Sequence, residues 1–111
     1  MKDIIELEVY QTENGKVPFA NWLKSLKDVK ARAKVLTHLA KVRSGNLGDY
    51  KSISGPVGEF RIHYGPGYRI YFAHDTATKK IILLGGSKRT QAHDAEQAKQ
   101  YWQVYIKNRE K

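Results

Sequence analysis

The stretch Glu59–Phe72 constrains the fold more than any other part of the chain. Two runs of alternating apolar and polar residues flank the turn Gly65-Pro66-Gly67. Alternation with a period of two is typical of a strand that has one face on a core. Glycine and proline supply the backbone angles that a chain reversal needs. The stretch therefore predicts a β-hairpin.

The alternation also predicts how the two strands pair. A loop of three residues, Gly65–Gly67, sets Ile62 opposite Ile70 and Phe60 opposite Phe72, and keeps every apolar side chain on one face. A loop of two residues would mix the two faces, because a slip of one residue turns a strand over. We therefore predict the three-residue loop.

The second face of this hairpin is polar. With the three-residue loop it pairs His63 with Arg69, and Arg61 with Tyr71. We expect these four side chains to be displayed together on the sheet.

The rest of the chain predicts an α+β domain over residues 1–111, in which an antiparallel meander packs against two N-terminal helices and a C-terminal helix (β-α-α-β-β-β-α). A first strand is predicted within 4–12, and Pro18 suits the first position of a helix. Asp28 is a plausible cap for a second helix that ends near Arg43. The last helix is predicted over 91–107, with Trp102 on its buried face.

Four further expectations concern packing and connections. The second helix should bury the stripe Val35, Leu36, Leu39 and Val42. The segment 44–58 is rich in Gly, Ser, Asn and Pro and is predicted to be a loop. A third meander strand should cover 79–84, and Gly85-Gly86 should then let the backbone pass close to a neighbour. Trp22 lies on a helical apolar stripe, so it is predicted to be core.

The charge of the chain points to a polyanionic partner. Twenty lysines and arginines stand against eleven acids, which gives a net charge of +9. Residues 1–55 hold 10 basic and 6 acidic residues and residues 56–111 hold 10 and 5, so the excess is not confined to a tail. Such a balance favours nucleic acid or an acidic protein as partner, although it also serves solubility.

Several function classes find no support in the sequence. The absence of cysteine removes disulfides and thiolate metal sites, and it fits a reducing cytoplasm. The four histidines lack the spacing of a two-histidine metal site, so we expect neither a metal nor another cofactor. No apolar run approaches the ~20 residues of a membrane span, so we expect no membrane partner.

The residues that remain for chemistry form a basic cluster. They are Arg61, His63, Arg69, Tyr71 and Lys88. Such a set suits RNA cleavage without a metal, in which a ribose 2′-hydroxyl attacks the adjacent phosphate. His63 would act as base or acid, the two arginines would clamp the phosphate, Tyr71 would stack on a base or orient the phosphate, and Lys88 would stabilise the developing charge. The same residue types also occur on strands for solubility and cross-strand pairing.

A second basic set is predicted to contact the RNA backbone without reading its sequence. Its members lie on the second helix and after the last strand: Lys30, Arg32, Lys34, Lys41, Arg43 and Arg89. A merely solvated helix face is the alternative interpretation.

Two motifs then carry a resemblance to a known family. The hairpin 59–72 and the segment Gly85-Gly86-Ser87-Lys88-Arg89-Thr90-Gln91 resemble the RelE/ParE toxin superfamily, and within it the HigB-like, or addiction module killer, branch. The resemblance extends over nearly the whole chain and includes Pro18-Phe19-Ala20-Asn21-Trp22-Leu23. It implies a RelE-like fold and the toxin of a bacterial toxin–antitoxin pair. It also implies a cognate antitoxin as partner, and cleavage of mRNA on the ribosome without a metal.

The resemblance leaves other functions open. The family often has an acid where Ser87 stands and a small polar residue where Arg89 stands, so this corner is more basic here. Some members of the superfamily inhibit DNA gyrase and cut no RNA, since a shared fold does not fix the chemistry. The alternatives are therefore a toxin that binds gyrase without catalysis, or an inactive member.

Overall fold

The computed structural model describes residues 4–109 and forms a five-stranded mixed sheet with helices on both faces. The elements are β1 Glu6–Val9, α1 Pro18–Ser25, α2 Val29–Arg43, β2 Tyr50–Ser54, β3 Val57–Ile62, β4 Tyr68–Thr76, β5 Lys79–Ser87, a 3₁₀ turn Lys88–Thr90, and α3 Gln91–Arg109. The strand order is β1-β5-β4-β3-β2, with β1 parallel to β5 and the other pairs antiparallel. The predicted α+β class is confirmed.

Two of the predicted helix starts follow from local chemistry. Pro18 is the first residue of α1, where its missing N–H costs no hydrogen bond. The Asp28 carboxylate accepts hydrogen bonds from the backbone N–H of Lys30 at 2.9 Å and of Ala31 at 3.3 Å. It therefore caps α2 as predicted.

The sheet separates two apolar cores. On one face, Phe60, Ile70 and Phe72 pack against α1 and α2, and the rings of Phe60 and Phe72 stack with centroids 4.0 Å apart. On the other face, residues of β4 and β5 pack against α3 through Ala98 and Trp102. The alternation of β4 thus sends adjacent residues into different cores.

The register predicted for the hairpin is wrong by two residues. Phe60 lies opposite Ile70 and Ile62 lies opposite Tyr68, so the loop contains the five residues 63–67. Gly65 and Gly67 both have positive φ, 56° and 83°, which a wider turn uses. A shift of two residues leaves each side chain on its predicted face, so alternation alone cannot distinguish the two registers.

Two other predictions also fail locally. The segment 44–58 is not one loop, because it contains β2, whose short and mostly exposed sequence gave no apolar alternation. Leu36 is 53% exposed, and the buried residues of α2 include Ala31 instead. A helix of this orientation buries a narrower stripe than the sequence indicated.

The glycines after the predicted third strand belong to it. β5 continues through Gly85 and Gly86 to Ser87, so the strand ends three residues beyond its predicted end. A Cβ at Gly85 would collide with the ring of Trp22, and a Cβ at Gly86 would collide with the Asp94 carboxylate. Both glycines therefore permit the predicted close approach, and Trp22 packs against the core as predicted.

Within residues 4–109, no helix combines the length and the apolarity required to cross a bilayer.

Candidate functional site

The sheet carries its polar residues in two adjacent rows on the face toward α3. In the first row, Arg61 lies opposite Arg69, and the Arg61 backbone N–H donates to the Asp49 carbonyl at 2.9 Å. In the second row, Glu59 lies between Lys51 and Tyr71. The rows are two residues apart along β3, or about 7 Å.

One part of this face is open to solvent, and we name Asp49, Arg61 and His63 the open cluster. His63 Nε2 lies 2.5 Å from Asp49 Oδ2, and Arg61 Nη2 lies 3.5 Å from Asp49 Oδ1. The side chains of His63, Asp49 and Arg61 are 74%, 44% and 35% exposed. The hydrogen bond from His63, and next the charge of Arg61, hold the pKa of the Asp49 carboxyl below its ordinary value.

Asp49 is the functional candidate that the sequence did not reveal. It lies immediately before β2, in the segment predicted to be a loop, so its pairing with Arg61 could not be anticipated. A correct prediction of β2 would have placed Asp49 beside Arg61 on the same face.

The other part of the face is covered, and we name Glu59, Arg69, Tyr71 and Gln91 the covered network. Arg69 Nε lies 3.1 Å from Glu59 Oε2, and Gln91 Nε2 donates to Glu59 Oε1 at 3.3 Å. Glu59 is 1% exposed, Arg69 9% and Tyr71 0%. The expectation that Arg69 and Tyr71 are displayed beside His63 is therefore wrong.

Helix α3 is the reason for this burial. Tyr71 belongs to the core that packs against α3, and its hydroxyl donates to the Gln91 carbonyl across 3.5 Å. Burial is the main cause that raises the pKa of the Tyr71 phenol, and the negative charge of Glu59 raises it further. Tyr71 is thus a neutral core residue in this structure, with no path to a ligand in solvent.

The loop 63–67 connects the open cluster to its surroundings. The backbone N–H of Lys88 donates to the Gly67 carbonyl at 2.9 Å, so the exposed residue Lys88 lies next to this loop. The Tyr64 hydroxyl donates to Asp28 Oδ2 at 3.2 Å, and Lys34 Nζ lies 5.8 Å from the centre of the Tyr64 ring. The loop therefore contacts both Lys88, which is a predicted site residue, and the basic helix α2.

The predicted backbone-contact residues lie outside both groups. Four of those on α2 are exposed and Arg32 is half-buried, while Arg89 is exposed after β5. No ion pair within residues 4–109 involves any of the six. Within residues 4–109, no acidic side chain therefore neutralises these six charges. Among the same residues, no three histidine, aspartate or glutamate side chains are grouped to hold a metal ion.

Comparisons with known proteins identify the family. Residues 21–102 match the family described as Phage derived protein Gp49-like (DUF891). An 81-residue region is 41% identical to a protein of Haemophilus influenzae (strain Rd) that carries the name "Uncharacterized protein", and it covers 73% of this chain and 82% of that protein. The matched region contains α2, the whole sheet except β1, and most of α3. The chain therefore belongs to the Gp49-like phage-derived family, a family of RelE-like toxins.

Proposed function

We propose that this chain, as one toxin domain over 1–111 of the HigB-like branch, cleaves mRNA on the ribosome in the cytoplasm. Membership of the Gp49-like family suggests a toxin of a toxin–antitoxin pair. The observation that supports cleavage is the exposed contact of 2.5 Å between His63 and Asp49, with Arg61 on the second oxygen of the same carboxylate. It brings together a proton-transfer group, the acid that orients it and a phosphate-binding group.

The reaction needs only groups that the protein and the RNA supply. The ribose 2′-oxygen attacks the adjacent phosphorus, the bond from phosphorus to the 5′-oxygen breaks, and the products are a 2′,3′-cyclic phosphate and a 5′-hydroxyl. One proton leaves the 2′-hydroxyl and one must reach the 5′-oxygen. The imidazole accepts the proton of the 2′-hydroxyl, and the imidazolium that results gives a proton to the departing 5′-oxygen, so the protons balance; acid–base catalysis of this kind contributes about 10²–10⁴-fold to a rate.

Each residue of the open cluster has a distinct role in this proposal. With the Nε2–H of His63 directed at Asp49, the Nδ1 of the ring is free to accept the proton of the 2′-hydroxyl. Asp49 fixes the orientation of the ring and stabilises the imidazolium that results. Arg61 binds the phosphate oxygens as charge builds on them, and Lys88 adds a second cation near the loop.

The basic surface of α2 supplies affinity for ribosomal RNA. Lys30, Lys34 and Lys41 are exposed on this helix and make no ion pair within residues 4–109. Lysine and arginine contacts to phosphates are not sequence specific, and they weaken as the salt concentration rises. We therefore expect binding to ribosomes to decrease steeply with salt.

The antitoxin is proposed to cover the apolar groove between α1 and α2. This groove holds about 410 Å³ and contains Leu23, Val29 and Leu36, with Lys24 and Arg32 at its border. Val29 is 66% exposed and Leu36 is 53% exposed. Exposed apolar side chains that are grouped together are typical of a surface that binds another protein. An amphipathic segment with acidic residues beside its apolar face would complement this groove.

The test is a purified translation reaction with the full chain added. The proposal expects cleaved mRNA, and cleavage that stops when ribosomes are left out. Intact mRNA with undiminished translation would contradict it. Co-expression with the neighbouring open reading frame should restore growth if that frame encodes the antitoxin.

A second candidate is a toxin that binds DNA gyrase without chemistry of its own. The observation in its favour is that two of the five predicted catalytic side chains, Arg69 and Tyr71, are buried. A supercoiling assay with purified gyrase separates the two: inhibition that survives Arg61→Ala and Lys88→Ala would favour the binding toxin. Failure of the chain to act in either assay, or to arrest growth, would indicate an inactive member.

A further inference from the structure

The imidazole of His38 lies on the face of the sheet opposite the open cluster. It extends from α2 onto Phe60, with the ring centroids 5.3 Å apart and the ring planes at 53°. Phe60 is fully buried and His38 is half-buried. Burial lowers the pKa of the His38 imidazole, and a hydrogen bond with the Leu47 backbone opposes this shift. The ring is therefore mostly neutral at pH 7 and acts on its neighbours by its shape.

The same ring contacts the segment 44–49, which connects α2 to β2. A Cβ at Gly48 would lie 2.9 Å from His38 Cε1, so glycine allows the backbone to pass this close to the ring. Gly48 also has a φ of 64°, in the left-handed region that favours glycine. Leu47, the preceding residue, packs against the core. The His38 ring is thus a wall that sets where the backbone of Gly48 can lie.

The backbone of Asp49 is held from two sides. Its carbonyl accepts from the Arg61 backbone N–H at 2.9 Å, and the preceding residue Gly48 lies against His38. Its carboxylate is 44% exposed, and the His63 side chain that it binds is 74% exposed. An exposed pair of this kind holds its own orientation weakly, because water competes for its hydrogen bonds. The direction of the carboxylate therefore depends on the backbone at 48–49.

We propose that His38 is a positioning residue of the open cluster: its ring holds Gly48, and through it Asp49, so that the carboxylate meets His63. The inference rests on the proposed function, because that function assigns to Asp49 the orientation of the His63 ring. His38 itself does not touch the RNA, since it packs on the face of the sheet that α2 covers.

The first measurement does not depend on cleavage. In the full chain at neutral pH, the NMR signals of the His63 ring nitrogens report the contact with Asp49, and Asp49→Asn marks their position when the acid is lost. His38→Ala should move these signals from the wild-type position toward that of Asp49→Asn. Thr37→Ala is the matched control, because Thr37 is the neighbouring exposed residue of α2, and it should leave the signals in place.

Gly48→Ala tests whether the effect passes through the backbone of the segment. This variant keeps the His38 ring but adds a methyl group against it, so the backbone must shift. The His63 signals should therefore move in Gly48→Ala as well. The double variant His38→Ala with Gly48→Ala should move them no further than His38→Ala does, because both changes release the same contact.

The second measurement is single-turnover cleavage of mRNA. His38→Ala should lower the maximal rate about 10- to 100-fold and leave the KM for mRNA unchanged, because a misplacement of about 1 Å costs that much while the RNA-binding cations stay in place. A purely structural role of His38 would lower the stability of the chain without changing the maximal rate of the folded molecules.

The outcomes separate this inference from the proposed function. Wild-type His63 signals in folded His38→Ala would overturn it, and so would an equal shift in Thr37→Ala, unmoved signals in Gly48→Ala, or additive shifts in the double variant. If His38→Ala does not fold, Gly48→Ala decides, because it keeps the ring and the core. If the signals move as expected but mRNA stays intact, His38 positions the pair and the proposed cleavage fails. If mRNA is cut while the signals or the maximal rate of His38→Ala stay at the wild-type value, only the role of His38 fails.

Discussion

The open cluster and the covered network lie on the same face of the same sheet, yet they are suited to opposite tasks. Both contain an acid paired with an arginine: Asp49 with Arg61, and Glu59 with Arg69. The Asp49 carboxylate is 44% exposed and holds an exposed histidine, whereas Glu59 is 1% exposed beneath α3. The same pair of residue types can thus serve a reaction at one end of the face and stability at the other.

Solvent access accounts for the difference. An exposed pair contributes about 0–1 kcal/mol to stability, because water screens it, so its residues are free to change partners when a phosphate arrives. A buried pair cannot lose one member without leaving a charge in a low dielectric. The following experiments test this division, from the largest expected effect to the smallest.

The largest effect is expected for the imidazole of the open cluster. His63→Ala should reduce mRNA cleavage about 10²–10⁴-fold, because proton transfer is lost, and single-turnover cleavage measures this. Its urea midpoint should stay near the wild-type value, since the His63 side chain is 74% exposed. His93→Ala is the control and should cut normally; wild-type cleavage by His63→Ala would remove His63 from the site.

The next effect concerns stability. Arg69→Ala should lower the free energy of unfolding by about 3–5 kcal/mol, because Glu59 is left charged and buried. Arg61→Ala is the matched variant, and it should cost no more than about 1 kcal/mol. Urea denaturation measures both. Equal losses of unfolding free energy in the two single variants would contradict the comparison. The double variant Glu59→Gln with Arg69→Met leaves no unpaired charge, so a stability above that of Arg69→Ala would support it.

A smaller effect is expected for the phenol of the covered network. Tyr71→Phe removes a long hydrogen bond to the Gln91 carbonyl and should cost about 1 kcal/mol or less. Cleavage should continue close to the wild-type rate, because the hydroxyl is buried under α3. A loss of cleavage by orders of magnitude without unfolding would instead show that α3 moves to expose Tyr71 to the RNA.

The smallest effect is the pH dependence that Asp49 confers. Its carboxyl pKa is held below the ordinary 3.8 in the folded chain, first by the hydrogen bond from His63 and then by Arg61. The folded state therefore gains stability that is fully present above pH 3.8 and is lost as the pH falls through the lower folded value. Urea unfolding at a series of acidic pH values should show this loss in the wild type and a smaller one in Asp49→Asn.

The sequence predicted the architecture where local patterns are strong. Pro18 and Asp28 mark the starts of α1 and α2, because their effects act within one helical turn. Alternation assigned the hairpin residues to the correct faces, including Phe60 to the core and Arg61 to the polar side. It missed β2, since five mostly exposed residues carry no periodic apolar signal.

The site was predicted in part. Arg61, His63 and Lys88 lie where a ligand from solvent can reach them, and their catalytic roles remain predictions. Arg69 and Tyr71 belong to the correct face but not to its accessible part. Asp49 comes to His63 from 14 positions away in the sequence, through a strand pairing that no local pattern announces.

The sequence by itself therefore determined the α+β class, the hairpin, the faces of its strands and the basic character of the surface. These properties depend on residue type and short-range periodicity. The tertiary structure alone decided which half of the polar face stays open, because that depends on where α3, which follows the sheet in the chain, returns to pack. Because α3 packs on Tyr71 and its first residue, Gln91, bonds to Glu59, residues that share one alternation are separated into a buried network and an exposed cluster.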